Sequence, residues 1–248
     1  MHDYGVDVEM RHAAGSDTDK SDKVLAAHQK QPLGSETYPT SAWRPGEVVR
    51  DWIDAAVSPL AASGAFELVV TVTDGQRVVY EQSLGEVEIR GRTRVLEPPS
   101  LSHKSSASFD GAVSLLGLAQ HDGNAAEMEI APSQTFTVTL IWQAGVTSSE
   151  EIVRFLHVIG PDGRPITQLD GPPCEGECPS SSWLPNEILV DTVTLTLPDD
   201  VAPGSYPLVA GWYQPGTLKR LNLTGVGGQG SADDFVTLPV RLVVPPPH

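Results

Sequence analysis

Apolar and polar side chains alternate with a period of two along much of this chain, and that period belongs to half-buried strands. From Thr135 to Trp142, Phe136, Val138, Leu140 and Trp142 read to one face and Thr135, Thr137 and Thr139 to the other. The same alternation predicts strands at Phe66–Thr73 (Phe66, Leu68, Val70 and Val72 inward) and at Thr192–Leu197 (Val193, Leu195 and Leu197 inward). It recurs at Val153–Ile159 and Tyr206–Trp212. Val236–Val244 alternates too, but Pro239 removes a ladder donor, which predicts an edge position. Thr73-Asp74-Gly75 and Pro161-Asp162-Gly163 supply hairpin turns. Helix-period segments with capping residues are scarce. Short strands separated by turn signals predict an all-β antiparallel sandwich.

The pattern is also duplicated. Pro39-Thr40-Ser41-Ala42-Trp43-Arg44-Pro45-Gly46-Glu47 returns as Pro179-Ser180-Ser181-Ser182-Trp183-Leu184-Pro185-Asn186-Glu187, at a constant offset of 140 positions. Both copies run on to an aspartate, Asp51 and Asp191, and the register holds from Pro32/Pro172 to Val69/Val209. A gap-free match of this length marks a duplicated structural unit. The expected fold is two tandem antiparallel immunoglobulin-like β-sandwich units, the first truncated at its N-terminus. The first spans 1–94, a Pro/Ser-rich linker spans 95–106, and the second, complete unit spans 107–248. Opening strands are expected in the second unit at Ala112–Leu118, Glu127–Ile130 and Thr135–Trp142. The first has nothing ahead of Val6–Met10, its counterpart of Val153–Ile159. A sheet lacking those neighbours exposes edges and apolar surface, so the expectation is either a fragment of a longer, membrane-linked protein or something else that covers that surface. Pro203-Gly204-Ser205-Tyr206 enters its strand as the tyrosine corner of immunoglobulin-like sandwiches does. The first copy has Phe66 there, so two readings stand: a true corner or a plain core aromatic.

Composition agrees with a turn-rich β protein: 23 glycines and 21 prolines in 248 residues. Sixteen basic residues stand against 32 acidic, a net charge of −16. Such a surface repels phosphate backbones and anionic headgroups, which argues against nucleic-acid or membrane-surface partners. Met1 to Met10 carries no basic leader followed by an apolar run, and no stretch reaches the roughly 20 apolar residues that cross a bilayer. The chain as written reads as soluble.

The string Pro-Ser-Ser-Ser-Trp-Leu-Pro-Asn-Glu, then Leu197-Pro198 to Pro203-Gly204-Ser205-Tyr206, resembles a β-sandwich repeat. That repeat occurs in the extracytoplasmic C-terminal portions of bacterial multi-pass membrane glycosyltransferases of the mannosyltransferase-like type, and in related uncharacterised proteins. The resemblance covers 105–244 well and 24–90 less well. It implies an accessory ectodomain, with the transferase chemistry in a membrane-embedded part that these residues do not include.

Candidate chemistry is sparse. Cys174 and Cys178, the only cysteines, are read first as a local disulfide, then as free thiols, and last as a metal site. Asp17-Thr18-Asp19-Lys20-Ser21-Asp22 has the oxygen spacing that opens a calcium loop, but lacks the glycine at the sixth place, and His28 stands at the twelfth. A solvated hairpin tip is the stronger reading. Asn222-Leu223-Thr224 fits a glycosylation sequon. His157 reads as a satisfied inward histidine and His121-Asp122-Gly123-Asn124 as a turn. No nucleophile elbow, phosphate loop or His-Glu-x-x-His motif occurs, and no two carboxylates are paired by spacing. Catalytic residues, metal ligands and cofactors are expected to be none.

Aromatic residues are the remaining lead. Trp142 and Trp212 fall on core faces. Trp43 and Trp183 lie in proline-flanked loops and Tyr213 alternates outward, so these three are candidates for stacking against a sugar ring. The competing reading, favoured by the repetition, makes each loop tryptophan the plug of its own sandwich. The functional expectation is a non-enzymatic, extracytoplasmic accessory module of a membrane-linked protein, binding a protein or glycan surface. A carbohydrate-binding module is the alternative, and a glycoside hydrolase a distant third.

Overall fold

The computed structural model describes residues 3–12, 27–119, 126–146, 150–224 and 234–246. It is all-β, and the chain divides into two compact units, Met1–Arg92 and Thr93–His248. The first contains β1 (Tyr4–His12), β2 (Ala27–Pro32), β3 (Gly34–Ser35), β4 (Tyr38–Pro39), β5 (Gly64–Asp74) and β6 (Arg77–Ile89). The second contains β7 (Leu101–Phe109), β8 (Val113–Ala119), β9 (Glu127–Glu129), β10 (Thr135–Ala144), β11 (Val153–Ile159) and β12 (Pro165–Gly171). It continues with β13 (Ile188–Thr196), β14 (Gly204–Gln214), β15 (Lys219–Arg220), β16 (Leu223–Thr224) and β17 (Val236–Val244).

The second unit is a two-sheet sandwich. One sheet has the order β13-β10-β8-β7-β16 and the other β12-β11-β14-β17-β9, with β15 paired to β14. Their inward residues form one core that includes Phe136, Val138, Leu140, Leu156, Val158, Val193, Leu195, Leu208 and Val240. Trp142, Trp183 and Trp212 are fully buried, with Trp212 edge-to-face against both others at centroid distances of 5.1 and 5.5 Å. The β10–β13 pair shows why the alternating sequence works. Phe136 faces Leu195 and Val138 faces Val193 on the core side. On the outer side Thr135–Thr196, Thr137–Thr194 and Thr139–Thr192 form hydroxyl pairs at 3.0, 3.2 and 3.1 Å. Cross-strand pairs of this kind fix register, because a one-residue slip would turn the threonines inward. Tyr206 closes a true corner, its hydroxyl donating to the Ala202 carbonyl at 2.6 Å.

The first unit has one four-stranded antiparallel sheet, β2-β1-β5-β6, and the small β3-β4 pair. Its pairing matches that of β12-β11-β14-β17. Val8 faces Val70 and Gln29, where Leu156 faces Ala210 and Leu169. Val70/Ala210 and Gln29/Leu169 keep the 140-residue offset. The expected start at Val6–Met10 therefore falls inside β1. The stretch matching β13 is not a strand: Val48 to Ala56 runs without regular pairing, and only Val57 makes a bridge, to Ala27. In the second unit β13 takes its ladder from β10, and no described strand of the first unit corresponds to β10.

Three expectations need correction. The segment 95–106 is not a free linker, because Val95 bridges Ile188 and β7 begins at Leu101. Its serines hid the strand: β7 pairs through an irregular ladder with β8 and buries little before Ala107 and Phe109. β17 is not an edge strand, since β9 pairs in parallel with Arg241–Val243 on its far side. Pro239 is tolerated because the β14 register shifts between the Pro207–Arg241 and Val209–Thr237 pairs, so the proline sits in a bulge. His157 is buried but points away from the core, which takes its neighbours Leu156 and Val158.

Candidate functional site

The duplicated loop is built from the same three side chains in both units. In the second, Trp183 Nε1 donates to the Cys178 carbonyl at 2.9 Å. Glu187 Oε2 accepts from the Leu184 amide at 2.9 Å, and Asp191 Oδ1 from the Cys174 amide at 2.8 Å. In the first, Trp43 Nε1 donates to the Tyr38 carbonyl at 3.3 Å. Glu47 Oε2 accepts from the Arg44 amide at 3.0 Å, and Asp51 Oδ2 from the Gly34 amide at 2.8 Å. Every donor and acceptor is related by the 140-residue offset. The motif thus spells a loop anchor. Two carboxylates satisfy amides that a turn leaves without strand partners, and an indole pins the loop's start.

What differs is the surroundings. Glu187 and Asp191 are fully buried and matched by cations: Arg94 Nη1 lies 2.5 Å from Glu187, and Arg154 Nε 3.0 Å from Asp191. Arg154 comes from one sheet and Asp191 from the other, so this buried pair ties the sandwich across its core. Glu47 and Asp51 are exposed, and neither makes an ion pair among the described residues. Glu47 accepts instead from the Tyr38 hydroxyl at 2.7 Å. The Arg44 amide first, then this hydroxyl, hold the Glu47 carboxyl below its ordinary range, and the same contact raises the Tyr38 phenol.

Cys174 and Cys178 are joined in a disulfide inside this loop. Their counterparts are Gly34 and Tyr38, so the first copy forms its anchor without one. Trp183 offers no ring face to solvent, being 0% exposed, which withdraws it as a stacking residue; it is a plug of the core. Trp43 is half-buried, its ring against Gly34. Tyr213 does face outward from β14, half-buried, and lies among residues that the sequence reading did not group.

That group lies on the outer face of the β12-β11-β14 sheet. His157 Nε2 is 2.8 Å from Asp170 Oδ1, and the Asp170 carboxylate also acts on the Tyr213 phenol. Burial first, then Asp170, pushes that phenol up. Phe155 lies between them, 4.8 Å from the His157 ring and 6.4 Å from the Tyr213 ring, with the Arg220 guanidinium 4.8 Å from its centroid. Gly211 makes room for that ring, since a Cβ there would meet it at 2.4 Å. Phe155 is 1% exposed, whereas Asp170 is exposed and Tyr213 half-buried, so the carboxylate and the phenol form the solvent-facing part of the group. Sequence spacing could not reveal it, because its members come from four strands.

The corresponding face of the first unit brings one ligand atom each from Asp7, Glu9 and His28 within 4.8 Å of one another. Arg11 Nε already holds Glu9 at 2.6 Å, and Lys30 stands opposite Asp7 in the ladder. His28 Nε2 lies 2.8 Å from Asp7 Oδ1, so these side chains already engage one another and Arg11. The segment Asp17–Asp22 and the His121–Asn124 turn lie outside the described residues. Asn222 is exposed, but its side-chain amide donates to Asp110 at 2.8 Å, so the sequon nitrogen is engaged. An open depression of about 420 Å³ near the corner is lined by Asp162, Arg164, Ile166, Asp200 and Tyr206.

No family model and no curated protein matches the chain. Among solved structures it is similar to one described as a membrane-anchored protein from Corynebacterium diphtheriae, with 14% identity over 99% of this chain and a TM-score of 0.25. The match spans about half (53%) of that protein's chain. A score this low carries no argument. No helix among the described residues is long and apolar enough to cross a membrane.

Proposed function

We propose that this chain is a non-catalytic pair of related β-modules, acting outside the cytoplasm as an accessory and interaction element of a membrane-linked protein. A glycosyltransferase of the kind its repeat resembles is the preferred context. One observation carries the reading: the tryptophan, glutamate and aspartate of the duplicated motif are all engaged in holding their own loop, in both copies. Residues that repeat for architecture are not held in reserve for chemistry. The His157 imidazole is likewise engaged, bonded to Asp170 at 2.8 Å with Phe155 packed beside its ring.

A carbohydrate-binding role is the second reading. Its support is Tyr213, a half-buried ring beside Asp170 and Arg220 on an outward sheet face. The discriminating experiment offers the intact chain to chromogenic glycosides and to a glycan array, beside Tyr213→Ala and Trp43→Ala. The accessory reading expects no turnover and no binding that either substitution abolishes. Turnover by purified protein refutes it, and array binding lost in Tyr213→Ala promotes the second reading.

A further inference from the structure

We infer that residues 48–56 of the first unit are a strand without a partner among the described residues, and that the ligand of this unit is an extended polypeptide segment, alternating apolar residues with threonine, that pairs with it. The inference deepens the interaction role proposed above and rests on it. Its grounds are the same positions seen twice. Val48 is 95% exposed where its counterpart Ile188 is 2%, and Ile53 is half-exposed where Val193 is 1%. On the facing strand, Leu68, Val70 and Val72 are half-exposed where Leu208, Ala210 and Trp212 are all 0%. Trp52 (78%) and Leu60 (71%) add large apolar side chains to the uncovered surface. In the second unit the occupant is visible: β10 lies antiparallel on β13, Gln143 opposite Ile188 and Thr135 opposite Thr196. That strand brings apolar side chains to the core side and threonines to the outside.

The segment is already held in place at points along its length. Asp51 accepts from the Gly34 amide, the Trp52 carbonyl from Gln31 Nε2 at 3.3 Å, and Val57 bridges Ala27. It therefore presents backbone groups to a partner strand without first having to be ordered, the condition under which strand addition is favourable. Charge narrows the partner's chemistry. Glu187 and Asp191 have Arg94 and Arg154, whereas Glu47 and Asp51 have no cation among the described residues. Read from β10, the incoming strand alternates apolar residues with threonine. In the second unit the cation for Glu187 comes from Arg94, outside β10, so the incoming segment is inferred to carry an arginine just beyond its paired residues, beside Glu47. A second copy is a poor occupant, because Glu47, Asp51 and Asp54 against the single Arg50 would oppose their own like charges.

The test uses the intact chain and a soluble tagged peptide carrying the sequence of residues 135–145 followed by Arg, beside a peptide of equal length ending in Glu. Binding is read by fluorescence anisotropy, and pairing by amide hydrogen exchange. The Arg-ended peptide should slow exchange at 48–56 by about tenfold or more, leaving 188–196 unchanged. It should bind about threefold or more tighter than the Glu-ended one. Ile53→Pro, with near-UV circular dichroism confirming the fold, should abolish the effect. No binding overturns the inference, as does equal binding of the two peptides. Protection of 48–56 that depends on protein concentration without peptide also overturns it, by making a second copy the occupant. Glycoside turnover would refute the accessory role while leaving the pairing result intact.

Discussion

The same aspartate occurs twice in two environments, and removing each copy separates a buried anchor from a surface one. Asp191 is 0% exposed, accepts from the Cys174 amide at 2.8 Å and pairs with Arg154 at 3.0 Å across the sandwich. Asp191→Ala strands a guanidinium that is itself 4% exposed and leaves an amide unsatisfied, which costs about 3–5 kcal/mol. For a domain of this size that is a fall in Tm of roughly 10 °C. Asp51→Ala removes one exposed hydrogen bond to the Gly34 amide and should cost about 1 kcal/mol or less. The assay is thermal unfolding of the intact chain, followed by near-UV circular dichroism of the packed tryptophans of the second unit. A third variant separates pairing from mere burial: Asp191→Leu with Arg154→Met removes both charges and should recover most of the loss. Equal, small effects of Asp191→Ala and Asp51→Ala would refute the assignment of the Arg154–Asp191 pair as the tie between the sheets.

Trp183→Ala empties a fully buried site and should destabilise the second unit by about 3–5 kcal/mol, measured by urea unfolding, with no change in glycan binding. Replacing Cys174 and Cys178 together by Ala removes a five-residue loop closure and should cost about 2 kcal/mol in the same assay; the loop should still form, as it does around Gly34 and Tyr38. The Tyr213 phenol is raised by burial and by Asp170, so its contribution is complete below the ordinary tyrosine value of about 10 and is lost as pH rises through its folded value. The stability gap between the wild type and Tyr213→Phe should therefore narrow in alkaline unfolding titrations, and a gap that widens there would contradict the Asp170 contact.

The alternating segments were legible because period two is a direct projection of a half-buried sheet: Thr135–Trp142 falls within β10, Thr192–Leu197 largely within β13, and Tyr206–Trp212 within β14. β7 was not, because Ser102, Ser105 and Ser106 give a peripheral strand the composition of a linker. The repeat located the loop anchor but not its role. Asp51, Asp191, Glu47 and Glu187 look alike in sequence, and only the sheet opposite decides whether each is buried with an arginine or left in water. Arg94 lies 93 positions from Glu187 and Arg154 lies 37 from Asp191, separations that no local pattern encodes. The outward group of His157, Asp170 and Tyr213 was hidden for the same reason. Val48–Ala56 is the instructive failure of periodicity: it matches a real strand position for position, yet a strand needs a neighbour as much as a pattern.

Amide hydrogen exchange on the unliganded chain compares the duplicated segments directly. If one scaffold underlies both units, with the partner strand present in the second alone, amides of residues 188–196 that bond β10 should exchange at least about a thousandfold more slowly than their counterparts in 48–56. Comparable protection of the two segments, at a protein concentration where the chain is monomeric, would contradict that account.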